Sequence, residues 1–205
     1  MAAPRRRRAG PDWAALAAEL PLARKARLKA EPFKLQLALL GDAPPPGDEW
    51  LHELKWDGYR LAVTLVAGRA HIWSRNALPW TAKVPTIAAA IEALGVSDAA
   101  LDGELIAGDG RQADFGVLQE TLSGKRRGPL TLVLFDLLHL EGVAIERSTL
   151  VSRKALLEQL LGAKPPAGLA YSSHVVGDGA AAFKMAEQRE FEGIISKRGA
   201  RPYAP

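Results

Sequence analysis

Cysteine is absent from the 205 residues. Its absence excludes disulfides, thiolate zinc sites and a cysteine nucleophile together, and agrees with a reducing compartment. Long apolar runs are missing too, since none approaches the ~18 residues of a membrane-spanning helix. The N-terminus is basic, but Asp12 and Glu19 interrupt its apolar stretch, so a secretory leader is not expected. Histidine occurs only at His52, His71, His139 and His174, each alone on a strand-like segment and none in an HExxH pattern. Without cysteine, a zinc centre is not expected. Gly124-Lys125-Arg126 lacks the Ser/Thr and the preceding glycine of a P-loop. Gly108-x-Gly110 and Gly177-x-Gly179 lack the rest of a dinucleotide fingerprint and read as turns.

Excess charge of one sign is scarce outside the N-terminus. Residues 1–30 hold eight basic side chains against Asp12 and Glu19, a net of +6; the other 175 residues hold 19 basic and 21 acidic groups, a net of −2. The overall +4 is therefore owed to the first 30 residues, and basicity alone says little about nucleic-acid binding by the remainder. At 48% hydrophobic and 24% charged, the chain reads as a soluble globular domain of ordinary size, with an appendage. Residues 1–30 read as a flexible basic arm or linker with room for one short helix over Asp12–Leu22, ended by Pro21, and Pro44-Pro45-Pro46-Gly47 as a stiff entry loop.

From Trp50 onward the texture changes. Residues 49–56, 59–66 and 69–74 read as strands, with Ala67-Gly68 turning between the last two. Residues 86–94 predict a short helix stopped by Gly95, and residues 100–107 a strand ending at Gly108-Asp109-Gly110. Asp114 predicts an N-cap for a helix through Leu122. The near-continuous apolar run 130–140 predicts a buried strand. Residues 150–161 have helical apolar spacing and stop at Gly162. A strand at 170–176, a helix at 179–189 and a last strand at 193–196 complete an α+β order without internal repeats.

Glu53-Leu54-Lys55-Trp56-Asp57-Gly58-Tyr59-Arg60 is the strongest local signal. Its plain reading is a β-hairpin with an Asp-Gly turn. Its chemical reading is a nucleophilic lysine: such a lysine must lose its proton, which apolar walls (Leu54, Trp56) and a nearby cation (Arg60) promote. Leu101-Asp102-Gly103-Glu104 reads as an acidic pair at a strand end, and Glu192-Gly193-Ile194-Ile195-Ser196-Lys197-Arg198 as a strand begun by a glutamate and closed by two cations. Carboxylates of this kind suit Mg²⁺, which takes oxygen ligands and travels with nucleotide phosphates. Phe135, within Leu134-Phe135-Asp136-Leu137-Leu138, offers an aromatic able to stack on a base. Trp73-Ser74-Arg75-Asn76 offers a second arginine. Lys125-Arg126-Arg127 reads as a solvated loop cluster.

In this order the motifs resemble those of the covalent nucleotidyltransferases, in particular the ATP-dependent DNA ligases. Lys55–Arg60 is similar to the family's KxDGxR nucleophile motif, and Ser74-Arg75-Asn76, Leu101–Glu104, Phe135–Leu138 and Glu192–Arg198 to the motifs that follow it. Residues 47–53, 80–83 and 171–174 look like the ligase domain of bacterial non-homologous end joining. The resemblance covers residues 32–205.

The resemblance implies a nucleotidyltransferase (ATP-grasp-like) fold of twisted antiparallel sheets flanked by helices. It implies an adenylation domain over 31–205, in a bacterial, cytoplasmic, nucleoid-associated protein with no membrane partner. Lys55 would attack ATP to form lysyl–AMP, and AMP would pass to a DNA 5′-phosphate for nick or break sealing. Glu53 and Leu54 would line the adenine pocket, and Phe135 would stack on adenine. Arg60, Arg75 and Lys197 would contact the nucleotide, and Glu104 the ribose. Glu104 and Glu192 would hold Mg²⁺, with Mn²⁺ as a substitute. DNA ends are the expected partner, together with an end-binding protein or a C-terminal OB-fold.

Two departures from the family pattern accompany this. The family's fifth motif and OB-fold do not occur before Pro205, and Ala77 stands where relatives often carry glycine. A truncated or split nucleotide- or DNA-binding module, and a related RNA ligase or capping nucleotidyltransferase, are therefore alternative readings.

Overall fold

The computed structural model describes residues 10–108 and 114–205. The arginine run at residues 5–8 and the Asp109-Gly110 part of the expected turn lie outside them.

The chain begins with a short helix, α1 (Trp13–Ala18), capped by the Asp12 carboxylate, which accepts from the Ala15 N–H. Strand β1 (Arg24–Lys25) follows. A long irregular segment then leads to β2 (Trp50–Leu54), β3 (Tyr59–Val66) and β4 (Arg69–Ser74). Helix α2 (Pro85–Glu92), β5 (Ala99–Ala107), α3 (Phe115–Leu122) and β6 (Leu130–Leu140) come next. The chain continues with β7 (Val143–Ala144), α4 (Leu150–Leu161), β8 (Leu169–Tyr171), β9 (His174–Val176), α5 (Gly179–Gln188) and β10 (Ile194–Arg198).

Seven strands form the main sheet in the order β1-β7-β6-β5-β3-β4, with β8 parallel to the first part of β6; every other pairing is antiparallel. A second sheet of three antiparallel strands runs β10-β2-β9. Strand alternation explains how the main sheet divides its two faces. Leu61, Val63 and Leu65 of β3 and Leu101 and Leu105 of β5 point into a core shared with Ile87 and Ile91 of α2, Leu118 of α3 and Leu156 and Leu157 of α4. Arg60, Ala62 and Thr64 therefore share the other face with Ala100, Asp102 and Glu104, opposite one another in register. That polar-bearing face carries the candidate chemistry. Among the described residues no helix is long and apolar enough to cross a membrane.

Four local expectations change in three dimensions. The expected flexible arm is packed from Trp13 onward. Trp13, Leu16, Ala17 and Leu20 recur at helical spacing, and they seal against the core while β1 pairs with β7. Arg24 also pairs with Glu146 at 2.7 Å. The Asp57-Gly58 segment does not turn a hairpin, because β2 and β3 belong to different sheets and the segment crosses between them. Asp102-Gly103 is not at a strand end but in the middle of β5, where the register with β6 shifts between the two residues. Residues 170–176 form two strands, β8 and β9, one in each sheet, separated at Ser172-Ser173.

Two glycines mark close approaches. A Cβ on Gly58 would lie 2.0 Å from the Leu105 carbonyl oxygen, and one on Gly103 2.7 Å from that of Val133. Ala77 adopts φ +59°, a left-handed conformation that favours glycine.

Candidate active site

Lys55 follows β2 directly, and its backbone N–H donates to the Gly193 carbonyl at 2.9 Å. Because β10 runs antiparallel to β2 with Ile194 opposite Leu54, Glu192 arrives beside Lys55. The Lys55 ammonium donates to the Glu192 carboxylate, although the two residues lie 137 positions apart. Both side chains stay accessible, at 41% and 54% exposure. Trp56 packs edge-on against Phe191, with centroids 5.0 Å apart, and its indole N–H donates to Ser172 Oγ at 3.3 Å. Trp56 thus supplies an apolar wall beside Lys55. Arg60 does not act as the free cation expected there, because its charge is committed elsewhere.

That commitment is to Asp102. Arg60 Nε and Nη2 donate to the two oxygens of Asp102 at 3.0 and 2.8 Å, a bidentate fork on a fully buried carboxylate. Burial disfavours the Arg60 charge, but the hydrogen bonds and charge of Asp102 outweigh it and hold the guanidinium more firmly protonated than usual. Asp102 faces Asp136 across β5 and β6. Two like charges in that position repel unless each is compensated. Arg153 of α4 compensates the second one, donating to Asp136 at 2.7 and 2.9 Å.

Glu53, one residue pair before Lys55, is 2% exposed and surrounded by donors. Lys154 lies 3.0 Å and Lys197 3.1 Å from its Oε1, and Ser172 Oγ donates to its Oε2 at 3.2 Å. Burial pushes the carboxyl up, but Lys197 and Lys154 overcome it and leave Glu53 below its ordinary range. Lys197 also stands 4.4 Å from the centre of the Phe135 ring, and Arg60 5.2 Å from it. Both distances lie within cation–π range. One aromatic of the main sheet thus meets a cation from the small sheet and another from β3, which ties the two sheets together around Glu53 and Phe135.

Glu104 lies opposite Arg60 in register and is only part-exposed. Burial pushes its carboxyl up to about 8; Asp102 and Asp57 add to this, while Arg60 and Arg75 oppose it. Arg75, just past β4, is exposed and close enough to act on Glu104 electrostatically. Leu54 is part-buried and pairs with Ile194. No cluster of three or more metal-binding side chains occurs among the described residues. The donors that do exist, Glu104 and Glu192, are hard oxygens. Glu192 already holds a cation, the Lys55 ammonium. A Mg²⁺ ion bound by one or two carboxylates plus nucleotide phosphates needs no more than this.

Lys154, Ser172, Arg153 and Tyr203 were given no role by the motif reading, although Ser172 lies within the 171–174 match. For the first and third a signal was present: Arg153 and Lys154 fall on the same helical stripe as Leu150, Leu157 and Leu160. Each is 1% exposed. Cations on an apolar stripe require buried acceptors, here Asp136 and Glu53.

The family model described as ATP dependent DNA ligase domain matches residues 30–205, and the chain belongs to that family. Over 164 residues it is 36% identical to the multifunctional non-homologous end joining protein LigD of Pseudomonas aeruginosa, an alignment covering 80% of this chain and 19% of that protein. The solved mycobacterial DNA ligase D complexed with ATP and MES is 31% identical, with a TM-score of 0.71 over 82% of this chain and 55% of that one. The ligase domain of Mycobacterium tuberculosis LigD gives 32% and 0.67, over 78% and 52%. The chain thus spans about a fifth of the length of its Pseudomonas relative. The expected kinship and the α+β nucleotidyltransferase fold are both borne out.

Proposed function

We propose that this chain performs nucleotide activation for DNA strand joining. The Lys55 ammonium first gives up a proton to solvent; the neutral Nζ then attacks the α-phosphate of ATP, a nitrogen–phosphorus bond forms, the bond to pyrophosphate breaks, and a second proton leaves the nitrogen for solvent. AMP then passes from the lysyl–AMP to a DNA 5′-phosphate at a nick or break, and the neighbouring 3′-hydroxyl displaces it. The observation that carries this reading is the accessible Lys55 paired with Glu192 at the junction of two sheets, beside a Phe135 ring on which Lys197 and Arg60 converge.

The other side chains serve binding and charge. Phe135 offers a ring face to adenine once the Lys197 ammonium yields it, and Glu53 and Leu54 border the same pocket. Arg60, Arg75 and Lys197 offset phosphate charge, which is most of what phosphoryl transfer asks of a protein. Glu104 contacts the ribose. Mg²⁺, or Mn²⁺ in its place, would supply further neutralisation of the phosphates, held by Glu104 and Glu192. Glu104 must shed its proton to take part. DNA ends are the proposed partner, with an end-binding protein or an OB-fold completing the grip, in the bacterial cytoplasm at the nucleoid.

The test is direct. With Mg²⁺ and ATP labelled in the α-phosphate, the protein should acquire an acid-labile adduct that Lys55→Ala abolishes and GTP does not supply. Wild-type protein that never becomes labelled would overturn the reading.

A further inference from the structure

The Arg60–Asp102 fork does not end at Asp102. The hydroxyl of Tyr203 donates to Asp102 Oδ2 at 2.7 Å, the same oxygen that accepts from Arg60 Nη2. The Tyr203 hydroxyl in turn accepts from the backbone N–H of Gln36 at 3.0 Å. The Gln36 side-chain oxygen accepts from the Ala204 N–H at 3.3 Å. Two segments lacking regular structure, one before β2 and one after β10, are thereby joined over the polar face of the main sheet.

Tyr203 itself is anchored from several sides. Its N–H donates to the Glu146 carbonyl at 2.8 Å, its ring meets Phe33 edge-on at 6.4 Å, and Arg153 lies 6.0 Å over it. Asp102 is fully buried, so its oxygens must find their donors within the protein. Arg60 supplies two donors and Tyr203 a third. A carboxylate held this way cannot rotate without losing a hydrogen bond. The arginine it grips is consequently held in one position, with its guanidinium over Phe135.

We propose that Tyr203, oriented by the Gln36 N–H, is a positioning residue that acts through Asp102 to set the Arg60 guanidinium for the nucleotide. This rests on the nucleotide-activating reading above, in that Arg60 is the group that meets ATP. Tyr203 touches no reacting atom. Removing its hydroxyl loosens a charge-assisted contact two links away from the ligand.

Tyr203→Phe keeps the ring and its packing and deletes only the hydroxyl. A contact made equally to bound ATP and to the transition state shows up in KM alone. The variant should raise the KM for ATP in lysyl–AMP formation about fivefold to tenfold, the net loss of a single ordinary hydrogen bond, since the effect reaches the ligand only through Asp102 and Arg60. The kcat should stay within about twofold and the melting temperature within a few degrees. In an Arg60→Ala background, Tyr203→Phe should raise KM no further, because its effect runs through Arg60.

A second readout needs no turnover. The Arg60 Nε–H resonance, assigned by its loss in Arg60→Lys, should exchange slowly with water in the wild type and markedly faster in Tyr203→Phe. If wild-type protein forms no adduct, the nucleotide-activating reading fails, while this exchange measurement still decides the Tyr203–Asp102–Arg60 coupling. An unchanged KM, a further rise in the Arg60→Ala background, or an Arg60 Nε–H indifferent to Tyr203→Phe would each overturn the proposal.

Discussion

Glu104 provides the sharpest prediction. Burial, with Asp102 and Asp57 close by, carries its carboxyl from the ordinary 4.5 up to about 8. The folded protein therefore binds a proton more tightly at this site than the unfolded chain does. Stability follows the difference in bound protons, so it falls as pH rises wherever the folded state binds more. Below the unfolded value both states are protonated and the effect vanishes; it grows through the window from about 4.5 to about 8 and is flat above it. At about 1.36 kcal/mol per pH unit the ceiling is roughly 5 kcal/mol. Glu104 is part-exposed, and solvent screening reduces that to about 2 kcal/mol. Urea unfolding should therefore show wild type losing about that much between pH 5 and pH 9, over and above the loss in Glu104→Gln. The glutamine variant, neutral throughout, should equal wild type at pH 5 and exceed it at pH 9. Parallel profiles for the two proteins would refute the assignment. The same proton ties into ligand binding: if Glu104 serves as a carboxylate toward Mg²⁺ and nucleotide, adduct formation should rise with pH toward 8 in wild type.

Gly58→Ala should destabilise the fold by at least about 3 kcal/mol, since the new Cβ would lie 2.0 Å from a backbone carbonyl that cannot yield; a denaturation midpoint measures it. Asp136→Ala would leave Arg153 buried with only carbonyl acceptors and should cost about 3–5 kcal/mol. Adding Arg153→Met in the same protein should recover much of that loss in the same denaturation series, because the stranded charge goes with it.

Much of this chain was legible in order along the sequence. Residues 59–66, 69–74, 130–140 and 150–161 form the elements that alternation and helical spacing indicate, with the same limits. Asp114 caps its helix as expected, accepting from the Val117 N–H at 3.0 Å. The errors share one cause. Asp57-Gly58 and Asp102-Gly103 resemble turns to any local rule, because Asp-Gly is a turn dipeptide. At both places the glycine instead makes room for a neighbouring strand's carbonyl, and that neighbour is remote in sequence. Likewise the apolar stretch 170–176 shows no sign that its two ends join different sheets. The short N-terminal helix was legible, but its seal against the core and the pairing of β1 with the distant β7 were not.

The order and chemistry of the motifs were a property of the sequence: a lysine after an apolar strand, two acidic motifs, an aromatic in a core strand and a basic final strand. Those residue types carry their chemistry wherever they stand. Which of them meet was decided only by tertiary structure. Antiparallel pairing of β10 with β2 brings Glu192 to Lys55, and the packing of α4 brings Lys154 to Glu53. Burial then alters what each charge does: Arg60 becomes half of a fixed fork, and Glu104 an acid that holds its proton near neutrality. Those properties come from removing water and adding neighbours, and neither is encoded at a single position of the chain.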